Sequence, residues 1–182
     1  MEIVLLIKLN RILKYFIFFI ITMSKIIVFD VETTGLPSKY NPSVDELGVW
    51  PYIVQFSWIV YDTELMDMLS IKDYIIKLPN NMKIPEPSTK IHGITNEMME
   101  KNGRNLEQII YEFLEDVSNV NVCVAHNMKF DKSMITVEGM RNNVANIKKM
   151  FEGKVEFCTM VYGNDICKLT RLNYRNQRVS KF

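Results

Sequence analysis

Cysteine is scarce in this 182-residue chain. Its three cysteines, Cys123, Cys158 and Cys167, are an odd number at wide spacing, which excludes a disulfide framework and a zinc-ligand pattern. They read as core thiols in a reducing compartment, so the expected setting is intracellular, cytoplasm or nucleus. Net charge is nearly absent too: +1 overall gives no global electrostatic footprint for nucleic acid and leaves only local charge to do that work. A long uninterrupted apolar run is missing as well. The run Tyr15 to Met23 covers nine residues, too few for a helix to span a bilayer. Extending it backwards would bury Lys8, Arg11 and Lys14, each costly at membrane depth. No stable membrane insertion is therefore expected. The same stretch is signal-like in outline but has no small-residue cleavage site. Residues 1–22 read as an apolar extension upstream of a start at Met23, with an interfacial or tethering helix as the alternative. Residues 23–182 then form the domain.

The remainder has the composition of a globular domain, 48% hydrophobic and 24% charged, with room for one core. "KIIVFDV" reads as a buried strand, and "YIVQFSWIVYD" and "LSIKDYIIKL" as two more joined by a hairpin link. "PSKYNPSVDELGVWP" is a long loop between the first two strands, placed as a flap or substrate wall. "PNNMKIPEPSTKIHGIT" reads as a proline-rich connection. "NEMMEKNG" and "NLEQIIYEFLEDV" carry helical signals, the second with Leu106, Ile109, Ile110, Phe113 and Leu114 on one stripe. "VNVCVAHN" is a short buried strand, "FDKSMITVEGMRNNVANIKKMF" mostly helix, and "KVEFCTMV" the expected last strand.

Within "FDVETTGLP", Asp30 and Glu32 stand two apart on a strand, so they share one face. Two adjacent carboxylates repel unless a cation compensates them, and a metal ion is the usual partner. Two further motifs follow in order, "IHGIT" (Ile91 to Thr95) and "VAHNMKFD" (Val124 to Asp131). Together the three resemble the DEDD superfamily of 3′-to-5′ exonucleases, in its DnaQ-like, DEDDh group that includes polymerase proofreading subunits.

The resemblance implies an α/β, RNase H-like fold: a mixed five-stranded sheet, its first three strands antiparallel, flanked by helices. It implies Asp30, Glu32 and Asp131 as catalytic residues and ligands of two divalent ions, Mg²⁺ or Mn²⁺. It also implies substrate contacts from Thr33, Thr34, Gly35, Leu36, His92 and Asn127, a single-stranded nucleic-acid 3′ end as partner, and a DNA polymerase as a further one. The plainer reading of "TTGL" is a turn, and of His92 and His126 an imidazole bonded to backbone. The chain departs from the pattern in one respect. The group carries a further H-x4-D motif on a late helix, whereas this chain has two histidines, and His126 stands in that spacing only to Asp131 of the second motif itself. The expectation is a domain that stops before the third motif, lacks its C-terminal helix and leaves apolar sheet surface uncovered. The alternative function is then an inactive nucleic-acid-binding remnant. The tail Lys168 to Phe182, with five basic residues and no acid, reads as a solvated face or as a contact strip with Tyr174 stacking on a base.

Overall fold

The computed structural model of the protein describes residues 25–167, 170–172 and 178–180. Residues 1–24 and Tyr174 lie outside them.

Strand β1 (Lys25–Thr33) forms where β-branched and aromatic residues alternate, with Ile27, Phe29 and Val31 buried. It pairs antiparallel with β2 (Ile53–Asp62), which pairs antiparallel with β3 (Asp67–Ile75). Three helices follow: α1 (Glu86–His92), α2 (Asn96–Asn102) and α3 (Leu106–Ser118). The chain then returns as β4 (Val122–Ala125), parallel to β1 on its free edge. Helix α4 (Met128–Arg141) crosses to β5 (Val155–Cys158), parallel to β4. The resulting order, β3-β2-β1-β4-β5, is the expected mixed five-stranded sheet. Helix α5 (Thr159–Cys167) and a hairpin of β6 (Thr170–Leu172) and β7 (Arg178–Ser180) complete the described chain.

The core lies between the sheet and helices α3 and α4. Asn105 opens α3 by accepting the Gln108 N–H, and the helix buries Leu106, Ile109, Ile110, Phe113 and Val117. Phe113 meets Phe29, Phe56 and Trp58 with ring centroids 4.7–5.3 Å apart. Helix α4 is buried on several sides, from Met134 through Gly139, and therefore shows no apolar stripe. A Cβ on Gly139 would stand 2.3 Å from Ile147 Cγ1, so the absence of a side chain there sets how closely α4 and the following turn approach. On the opposite sheet face Val28 and Ile71 are exposed, apolar neighbours of Ile59 on the strand between them.

Four expectations change. The proline-rich connection contains α1: Pro85 is its N-cap and Pro87 lies in its first turn, where a missing N–H costs nothing, and Gly93 ends it at φ 77°. Prolines taken as loop markers there start a helix. Strand β3 stops at Ile75, since Ile76 leaves the ladder to form a parallel bridge with Arg104. The helix expected to run towards Phe151 ends at Arg141, because Asn143 and Asn146 take left-handed φ of 55° and 58°. The stretch read as the last strand keeps only Val155–Cys158; Thr159 begins α5, and two short strands follow.

Candidate active site

With Ile27, Phe29, Val31 and Thr33 turned into the core, Asp30 and Glu32 project from the other face of β1, Asp30 exposed and Glu32 half-buried. Their β2 partners are Ser57 and Gln55. Those side chains do not serve the two acids: both donate to Asp73 Oδ1 of β3, each at 2.7 Å. The polar neighbours on the sheet thus give neither carboxylate a hydrogen bond.

Pairing of β1 with β4 ends at Val28 and Val124, so the last residues of β1 run free of that ladder. Asp131, in the first turn of α4, fills the gap and accepts the Val31 N–H. Its side chain is only 2% exposed, and Oδ2 is buried with no hydrogen-bond partner. Burial first, and then the neighbouring Asp30 charge, push its carboxyl up to about 7 against the pull of the Val31 N–H and its own backbone N–H, with Glu32 adding to the rise. Asp30 is also raised: although the residue is exposed, its carboxyl is partly desolvated by the surrounding chain, with the nearby His126 drawing it back. Glu32 is raised by burial and by Asp30. The three acids from β1 and α4 therefore sense one another. His126 stands beside them, exposed, with Nδ1 3.0 Å from Thr159 Oγ1.

The turn after β1 uses much of its own polar capacity. Thr33 Oγ1 donates to the Gly35 carbonyl at 2.7 Å, and Gly35 sits at φ 151°, open to glycine almost alone. Thr34 donates its N–H to the Tyr52 carbonyl and accepts the Tyr52 N–H at its hydroxyl, while its own carbonyl accepts Ser88 Oγ of α1 at 2.8 Å. These bonds fix the turn against β2 and α1. Leu36, by contrast, is 82% exposed. His92 Nδ1 accepts the Ile94 N–H at 3.0 Å, the backbone role named as its plainer reading. Its Nε2 is buried beside the Thr33 backbone, and burial lowers its pKa while the Thr33 backbone draws it back up. Asn127, at φ 66°, turns the chain from β4 into α4 and lines the cavity that Leu36 enters.

The residues present fit a divalent cation. Asp131 Oδ2 is an orphaned, buried carboxyl oxygen within electrostatic reach of two further carboxylates, which is the donor chemistry of hard oxygen ligands. Among the described residues no three His, Cys, Asp or Glu side chains are grouped closely enough to hold a metal ion as they stand.

Two residues beyond those motifs hold the site. Glu138, 3% exposed, accepts the Ile53 N–H at the start of β2 and pairs with Arg141 at 2.9 Å. Arg141 in turn donates to the carbonyls of Leu47, Trp50 and Pro51 at 2.6–2.7 Å and stacks over Tyr52. The sequence shows only two charges three apart in a helix that carries several others.

The exonuclease family model, RNase_T, matches residues 27–162. The chain belongs to the exonuclease family. Its resemblance to the DnaQ-like group within the DEDD superfamily is supported by relatives that are DNA polymerases III of the PolC type. The protein from Thermotoga petrophila is 35% identical over 106 residues, 58% of this chain and 6% of its own length. That from Mycoplasmopsis pulmonis is 26% identical over 155 residues, 85% of this chain and 9% of its own. The chain thus spans less than a tenth of these polymerases. In fold it is similar to Escherichia coli exonuclease I solved with a dA16 oligonucleotide, with a TM-score of 0.65 and 14% identity over 87% of this chain and 34% of that one. Among the described residues no helix is long and apolar enough to cross a membrane.

Proposed function

We propose that this chain is a metal-dependent 3′-to-5′ exonuclease domain acting on single-stranded nucleic-acid ends. The observation that carries this reading is Asp131: a buried carboxyl with an unpartnered oxygen, set against Asp30 and Glu32, has a physical rationale if a cation binds there. Asp30, Glu32 and Asp131 would hold Mg²⁺ or Mn²⁺, which when bound supplies an activated water and compensates the charge that grows on the phosphate. The chain's own residues then orient the substrate. The braced Thr33 to Leu36 turn presents Leu36 as an apolar platform for the terminal nucleotide, and Gly35 allows the backbone to approach. Asn127 offers an amide at the mouth of the same cavity. A polymerase is the partner that the PolC relatives suggest.

A second reading rests on the histidine count. With two histidines and neither in an H-x4-D motif beyond Asp131, the residue that would take a proton from the attacking water is not supplied by that motif. A positioned general base is worth about 10²- to 10⁴-fold, so turnover by this chain alone is expected to be low by that factor, and in the limit the chain only binds nucleic acid. Release of mononucleotides from a 3′-labelled single strand, in Mg²⁺ and in Mn²⁺, tests both. Slow release abolished by Asp30→Ala supports the enzyme. Equal, negligible release from both proteins supports the binding remnant.

A further inference from the structure

The loop between β1 and β2 is long, and a loop of that length without strand or α-helix is uncommon in a compact domain unless it is used. Here it is built rather than loose. Ser38 donates its N–H to the Val49 carbonyl, and the Trp50 indole N–H donates to the Ser43 carbonyl, each at 2.9 Å. Lys39 pairs with Glu46 at 2.6 Å, and Arg141 holds the far end through three carbonyls. Lys129 of α4 donates to Asn41 Oδ1, tying the loop tip to the helix that carries Asp131.

Between this loop and α4 lies a cavity of about 450 Å³ that starts at Leu36 and is walled by Pro42, Trp50, Asn127 and Phe130. Trp50 and Phe130 have ring centroids 6.5 Å apart. Tyr40 stands on its lip with 98% of its surface in solvent. So exposed, the Tyr40 ring contributes little to the core and keeps its face open to a ligand. Lys129 adds a positive charge whose bonded partner is a neutral amide, with no carboxylate at ion-pair distance among the described residues. An apolar slot, a free aromatic face and an uncompensated cation beside it suit a nucleobase and its phosphate.

We infer that Tyr40 and this cavity form a second nucleotide subsite, in which the Tyr40 ring stacks on the base preceding the 3′-terminal nucleotide and Lys129 faces its phosphate. The inference rests on the proposed exonuclease reading, in which Leu36 meets the terminal nucleotide. Leu36 and Tyr40 line the same cavity, so the base next to the one on Leu36 is the one within reach of Tyr40.

The test is a binding cycle by fluorescence anisotropy, using the full chain, Ca²⁺ in place of Mg²⁺, and 5′-labelled single strands that are intact, abasic at the second nucleotide, or abasic at the terminal one. For the intact strand Tyr40→Ala is expected to weaken binding about tenfold and Tyr40→Phe to leave it within about twofold, as a stacking face requires. The strand abasic at the second nucleotide should bind wild type about tenfold more weakly, and Tyr40→Ala should weaken it no further. Equal binding of the intact strand by wild type and Tyr40→Ala overturns the subsite, as does additivity on the strand abasic at the second nucleotide. Non-additivity only with the terminal abasic strand overturns its assignment to the second base. No binding of any strand by wild type overturns the exonuclease reading itself, and the subsite with it.

Discussion

Replacing Asp131 by Asn separates the cost of the site from its use. The carboxyl rises from its ordinary 3.8 to about 7 in the fold, so the folded state holds this proton more tightly than the unfolded chain does. Stability from this group is therefore fully present below about pH 4 and is lost as pH rises through the folded value, the reverse of a salt-bridged Asp. At 1.36 kcal/mol per pH unit, ionising it at pH 8 costs the metal-free fold on the order of 4 kcal/mol. Asn has the same shape and keeps an oxygen for the Val31 N–H, while its NH₂ takes the place of the unpartnered Oδ2 next to Asp30. Asp131→Asn is accordingly expected to be the more stable protein at pH 8 in EDTA, by up to that amount, with the gain fading towards pH 4.

Added Mg²⁺ should close more than half of that gap. A ligand present at about 100 times its Kd stabilises by about 2.7 kcal/mol, and only wild type should respond. Urea unfolding at pH 4, 6 and 8, with EDTA and with Mg²⁺, reads both effects. Equal stability at pH 8 in EDTA would show that Asp131 is not strained by its neighbours. An equal response of the two proteins to Mg²⁺ would remove Asp131 from the ligand set.

Other expectations follow from the supports of the site. Arg141→Ala should cost about 3–5 kcal/mol in urea unfolding, because it leaves Glu138 charged and buried and three loop carbonyls unbonded; a loss below 1 kcal/mol would mean the loop stands without it. Cys158 and Cys123 should differ in alkylation of the native protein followed by peptide mass analysis. Burial pushes Cys123 up to about 12, whereas at Cys158 burial is outweighed by backbone N–H groups of Val161, Met128, Asn127 and Met160, which lower it. Faster labelling of Cys123 would contradict that ordering.

Legibility in the sequence followed how local each cause was. Asp30 and Glu32 could be placed on one face because strand periodicity is a property of neighbouring residues, and α3 because its stripe repeats within one helix. Helix α1 was hidden by its prolines, which are equally at home in a loop and in a first helical turn. Asp131 was legible as a motif member but not as a buried acid, since its burial arises where β1 outruns β4, a feature of two strands far apart in the chain.

The bracing of the long loop lies furthest from anything a sequence can display. Arg141 reaches Leu47, Trp50 and Pro51 across 94, 91 and 90 residues, and in each case the acceptor is a main-chain carbonyl. Every residue carries that acceptor, so no residue type at 47, 50 or 51 announces the bond. What the structure adds is that an Arg and a Glu three apart sit where the helix is buried, and charges there are stable only if something specific is paired with them. A buried ion pair whose guanidinium has donors left over therefore points to a distant segment being held. Here that segment is the loop that walls the cavity beside Leu36.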